Sequence, residues 1–219
     1  MNLQDTLIIS TNCIAGFIYR DHIKKEYEHP FIWSVIKLSD FIKLIENFND
    51  IDFINSKAMM SVGELSNKNG NVYPKIETYT KDNNTISTYF IHYKQINDKK
   101  IDKPIQRGIN TICNDVLKYT QEKWDERTNR MIKNNTKNKK RIFIEWQDNL
   151  STNINVNEFI QLAKKRQNIK NETFVLFYNP NDINVNKQNT PNNIILLPIT
   201  DYNNVPLHAE TLYNILTQQ

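Results

Sequence analysis

Short apolar runs alternate along this chain with longer segments in which apolar residues recur at helical spacing. The runs predict strands at Thr6–Ser10, Trp33–Leu38, Ile86–Tyr93, Arg141–Trp146, Thr173–Tyr178 and Ile194–Ile199. Several are continuously apolar, as strands buried on both faces of a parallel sheet must be. The helical spacing covers Ile14–Lys25, Asp40–Phe48, Ile109–Lys133, Val156–Gln167 and Leu207–Thr217. Ser39 suits the cap of the second helix, Asn155 with Glu158 resembles a capping box for the fourth, and Pro206 fits the first turn of the last. Polar stretches at Val62–Thr85, Asn134–Lys140 and Asn179–Asn193 read as connections within one domain, residues 1–219. The expected fold is α/β, a three-layer α/β/α arrangement with a mainly parallel central sheet.

Composition narrows the function classes. The 28 basic residues exceed the 24 acidic ones by only four, a balance that permits an anionic ligand without marking a nucleic-acid surface. Two cysteines, Cys13 and Cys113, make neither a disulfide framework nor a metal cluster. With four glycines and no P-loop, dinucleotide fingerprint or nucleophile elbow, a glycine-rich phosphate cradle is not expected. Asp50-Ile51-Asp52 has a spacing used for divalent metals, but it follows a helix and not an apolar strand. The expectation is therefore no metal, no cofactor and no nucleic acid. No signal peptide and no run near the roughly 20 apolar residues of a membrane span are visible, which places the chain in the cytoplasm with both thiols reduced.

Candidate chemistry gathers in two places. Thr6-Leu7-Ile8-Ile9-Ser10-Thr11-Asn12-Cys13-Ile14-Ala15 reads as strand, tight turn and helix start. A thiol at a helix N-terminus is easier to ionise, and His92 ends another predicted strand, so Cys13 and His92 are the candidate catalytic pair. Asn12 and Tyr93 stand beside them. Against this stands a plain core cysteine and a histidine bonded to a loop. The second place is Lys123, Arg127 and Arg130, whose four- and three-residue spacing makes a basic stripe on one helix, with Trp124 beside it as an anchor to the sheet or a stacking face for a sugar or base. Such guanidinium groups suit a phosphate or carboxylate, and the competing reading is a solvated face paired to Asp125 and Glu126.

The order of these features resembles a bacterial family associated with exopolysaccharide biosynthesis. The resemblance is carried by Ser10 through Tyr19, His29-Pro30-Phe31-Ile32, Ser61-Val62-Gly63, Phe90-Ile91-His92-Tyr93 and Lys123-Trp124 with Arg127 and Arg130. The family commonly has Trp-Gly-Gly after the Cys, where this chain has Ile14-Ala15-Gly16, and Pro-Val-Gly where it has Ser61-Val62-Gly63. The Cys and Pro-Phe pattern is also similar to a neighbouring family described as papain-like cysteine peptidases, which has Asp-Trp where this chain has Ile32-Trp33. The resemblance implies a three-layer α/β fold and a place among capsule or exopolysaccharide genes. The resulting expectation is a transferase acting on an activated sugar or glycan intermediate, with a small-molecule or glycan substrate such as a nucleotide-sugar. A Cys–His hydrolase or acyltransferase and a non-catalytic glycan-binding or assembly factor are the alternatives.

Overall fold

In the computed structural model, residues 3–24, 29–62, 72–90, 109–135, 139–147, 153–181 and 190–218 are described. Four strands, β1 (Thr6–Ser10), β6 (Lys140–Trp146), β7 (Glu172–Tyr178) and β8 (Ile194–Pro198), form a parallel sheet in the order β1-β6-β7-β8. Four others, β2 (Val35–Ile36), β3 (Ile51–Val62), β4 (Val72–Thr80) and β5 (Thr85–Tyr89), form an antiparallel sheet in the order β2-β5-β4-β3. The expected α/β class holds. The expected mainly parallel sheet accounts for half of the strands, and the antiparallel sheet was not foreseen.

Alternation sends successive residues of the parallel strands into two apolar clusters. Leu7, Ile9, Phe143, Phe174 and Leu176 pack with Phe41, Leu44 and Ile45 of α2 (Leu38–Glu46) and Phe159 and Leu162 of α4 (Asn153–Lys165). Ile8, Ile142, Ile144, Val175 and Phe177 pack with Ile14 of α1 (Ile14–Phe17) and Leu212 and Leu216 of α5 (Val205–Gln218). Pro206 lies in the first turn of α5, as its fixed φ predicts.

Several boundaries differ from the pattern. The helix expected over Ile14–Lys25 is one α turn that widens into π turns over Ile18–Ile23 and stops at Lys24, in left-handed backbone with φ 54°. The strand expected at Trp33–Leu38 is only Val35–Ile36, and α2 already begins at Leu38, with Lys37 and not Ser39 at its cap. Likewise α4 starts at Asn153, ahead of the expected cap Asn155.

The fifth helix in space, α3 (Ile109–Lys133), covers the outer edge of β3. Gln121 does this through its amide, accepting from Ala58 N at 2.7 Å and donating to Ser56 O at 3.1 Å, as a neighbouring strand would. Asp52 lies in β3 and accepts from the backbone N–H groups of Ile54 and Asn55, holding the irregularity where pairing with β4 shifts between Asp52 and Lys57. Asp50 pairs with Lys81. Among the described residues no cluster of His, Cys, Asp and Glu is arranged to hold a metal ion, and no helix is long and apolar enough to cross a membrane.

Candidate functional site

The carboxyl ends of parallel strands leave backbone groups and side chains without a next turn of sheet, which is why ligands collect there. Here that edge is laced by polar residues. Thr11 N donates to Ile144 O at 3.0 Å, and Thr11 Oγ1 accepts from Trp146 N at 3.1 Å. Gln147 N donates to Phe177 O, and its Oε1 accepts from Asn179 N, both at 2.9 Å. Glu145 is 2% exposed, and alternation along β6 places it on the face of Phe143 and Tyr178. Glu145, Gln147 and Tyr178 were missed in the sequence. The available signal was a carboxylate inside the apolar run Ile142-Phe143-Ile144-Glu145-Trp146.

Cys13 occupies the position just before α1, beyond the end of β1, where the pattern put it, and its side chain makes no capping hydrogen bond. Its electrostatics are the reverse of the expectation. The helix-start N–H groups are already occupied, Ile14 N by Asn12 Oδ1 at 3.0 Å and Ala15 N by Ser10 Oγ at 3.2 Å. Ser10 Oγ donates in turn to Asn12 O. Burial pushes the Cys13 thiol up to about 12, so it is protonated at neutral pH. Asn12 is therefore a capping residue in this structure. Cys13 alkylation by iodoacetamide, followed on Cys113→Ala protein, should be roughly a hundredfold slower at pH 8 than that of a small free thiol. A rate equal to the free thiol would show that the sulfur is ionised and reachable.

His92 and Tyr93 lie outside the described residues. The basic stripe on α3 is divided. Trp124 is 1% exposed, donates Nε1–H to Phe53 O at 3.1 Å, and sits edge-on to Phe31. Arg127 is 7% exposed and donates to Ile32 O at 2.9 Å. Both pin α3 to the segment after His29. On the outer face Lys123 bonds Glu126 at 2.7 Å and Arg130 also pairs with it, which holds the Glu126 carboxyl below its usual range. The structure thus brings Asn12 and Cys13 together at the sheet edge and places Trp124 and Arg127 in the core.

The segment pinned by α3 packs through His29 on Tyr19 of the π turns, which protects β1, an outer strand of its sheet. Tyr19 OH donates to Thr6 O at 2.9 Å and accepts from Ile8 N at 3.3 Å, satisfying part of the open edge. His29 stacks edge-on against Tyr19 and is fully buried. Four residues on, Trp33 has left-handed backbone with φ 62°, an arrangement that costs a bulky residue on the order of 1–2 kcal/mol. Its indole covers Gly16, where an added Cβ would fall 2.5 Å from the ring. Only glycine fits there without moving the indole.

A groove of about 470 Å³ between α2 and α4, lined by Glu46, Glu158 and Lys165 among others, contains none of the candidate catalytic or binding residues named from the sequence. Its exposed helix surfaces are remote in sequence from the strand ends, and position at the sheet edge is the stronger argument for a site.

Residues 1–107 are similar to the family model described as a domain of unknown function, DUF1919. That span holds Asn12, Cys13, His29 and Trp33 and ends before α3 and β6. No curated protein and no solved structure matches the chain.

Proposed function

We propose that this protein is a cytoplasmic transferase of capsule or exopolysaccharide biosynthesis, acting on an activated sugar or glycan intermediate at the carboxyl edge of the parallel sheet. The observation that carries the reading is the collar of Asn12, Cys13, Glu145, Gln147 and Tyr178 on three adjacent strand ends. The packing of α2 and α4 against one face and α1 and α5 against the other supports a three-layer arrangement around that edge. In this reading Glu145 takes the proton of an acceptor hydroxyl, and Cys13 lines the site as an uncharged wall. His92 and Tyr93 remain candidates for the same site from the sequence pattern. Arg130 and Lys123 remain candidates for an anionic donor group, while Arg127 acts from the core by holding the segment at Ile32. The hydrolase alternative needs a thiolate at Cys13, which burial opposes.

The test is nucleotide release from UDP-glucose and UDP-glucuronate, read with direct binding of each by calorimetry. Binding with release, and a Glu145→Gln protein that binds equally but releases about 10²-fold or more slowly, is the expected result. Absence of binding to both donors, or undiminished release by Glu145→Gln, would overturn the reading.

A further inference from the structure

Trp33 is placed by two unfavourable choices at once, a left-handed backbone at a bulky residue and a helix position at Gly16 that admits no side chain. Trp33 and Phe17 pack against the cluster of Ile8 and Ile14 and remain partly open to solvent. The other two tryptophans, Trp124 and Trp146, are buried at 1% and 8% exposure, whereas Trp33 stays half-buried. Its surroundings are those of a rim. Phe17, also half-buried, meets the indole edge-on at 5.0 Å between centroids. The Arg20 guanidinium lies 4.9 Å from the Phe17 ring centre and 5.4 Å from that of Trp33. Arg20 is forked to Asp21 through bonds of 2.5 and 2.7 Å, and both side chains are exposed.

An aromatic pair with an apolar surface, flanked by a planar donor and a carboxylate acceptor, matches the two-sided character of a sugar ring. The C–H face of a pyranose is apolar, and its equatorial hydroxyls both donate and accept. Gly16 lies one turn from Cys13, so the rim adjoins the strand-end collar. We infer that Trp33, Phe17, Arg20 and Asp21 form a subsite that binds a pyranose ring of the glycan. This assignment rests on the transferase reading for its place in a reaction, but not for its geometry. Trp33 supplies the stacking face, Phe17 fixes the indole, and the Arg20–Asp21 fork reads ring hydroxyls. Arg20 lies over the rings in the free protein through a cation–π contact and keeps enough exposed length to move aside.

The experiment is a titration of the uniformly ¹⁵N-labelled full chain with methyl glycosides of glucose, galactose, mannose and glucuronic acid, following the three indole N–H signals. The Trp33 signal is assigned by its loss in Trp33→Phe. Saturable movement of that signal with at least one pyranoside, weakened ~5-fold or more by Arg20→Gln, is expected. Arg20→Gln keeps Gly16 and Phe17 against the indole, so it tests the subsite even if Trp33→Phe folds poorly. UDP-glucose binding with no pyranoside moving the Trp33 signal would overturn the subsite and leave the transferase reading standing. Pyranoside binding at Trp33 with no nucleotide-sugar binding would sustain the subsite and overturn the transferase reading. Silence toward all of these ligands would overturn both.

Discussion

Glu172→Ala should remove about 3–5 kcal/mol of stability, measured by urea unfolding at neutral pH. Glu172 opens β7 at the end of the sheet opposite the strand-end collar, and its side chain has no exposure to solvent. Arg166 holds it bidentately, Nε to Oε2 at 2.6 Å and Nη2 to Oε1 at 2.7 Å, while Arg141 Nη2 approaches Oε1 at 3.0 Å. Arg141 is itself nearly buried, donates to Asn49 at 3.2 Å, and lies 5.2 Å from the Phe48 ring centre. Burial lowers the Arg141 pKa, the Glu172 carboxylate opposes that effect, and the Arg166 charge adds to it. Deleting the carboxylate leaves one guanidinium buried without its counter-charge and removes the brace between the end of α4 and β7. The size of the loss comes from this stranded charge and not from the worth of an exposed ion pair, which is under about 1 kcal/mol. Adding Arg141→Leu and Arg166→Leu to a Glu172→Leu protein should recover most of the loss, because no buried charge then remains. A loss below about 1 kcal/mol in Glu172→Ala would show that the network is solvated in solution.

The parallel sheet was legible because each of its strands is a short apolar run with one continuous register, from Thr6↔Lys140 to Ser10↔Ile144 in the first pair. Strands β3 and β4 were illegible for local reasons. The shift between Asp52 and Lys57 breaks the two-residue period in β3. β4 carries Pro74 and the buried Lys75, both of which argue against an interior strand. The structure accommodates them by pairing Lys75 with Glu77 at 2.9 Å and by letting Pro74 O accept from Phe90 N at 2.9 Å. The position of Cys13 was legible from the switch between strand and helix periods. Its protonation state was not, since that depends on Ser10 and Asn12 occupying the helix start and on burial from distant elements. On α3, spacing aligned Lys123, Arg127 and Arg130 with Trp124 beside them, but the structure turns Arg127 inward with Trp124 and leaves the other two outside, because spacing cannot say which side of a helix faces inward when that side contains an arginine. Glu145 shows the converse: the pattern ran the strand through it without marking it, and it is a buried carboxylate.

Acid should destabilise the fold through His29 in the window from pH 6.5 down to about 3. The imidazole is fully buried with Tyr19 and Phe31 packed on it, and the Ile8 backbone is the polar group beside the ring. Burial pushes its pKa down to about 3, the Arg127 charge acts in the same direction, and the Ile8 backbone beside the ring offsets a little of both. Below 6.5 the unfolded chain gains a proton at this residue and the folded chain does not. Unfolding therefore takes up a proton, and stability falls as pH falls, by up to roughly 1.4 kcal/mol per pH unit. Above 6.5 both states are neutral, and His29 contributes no slope. His29→Phe keeps a ring of similar size between Tyr19 and Phe31 and removes the titration. Urea unfolding of the two proteins at successive pH values should show the wild type losing stability more steeply than His29→Phe between pH 6 and 4, with the difference closing at pH 7. Parallel curves would mean that His29 takes up its proton in the folded state, which requires the strand edge between Tyr19 and Arg127 to admit solvent. The same comparison separates two roles for the segment that α3 pins. A steeper wild-type slope makes His29 a sealed part of the β1 edge, held there by Arg127 through Ile32 O and by Trp124 against Phe31.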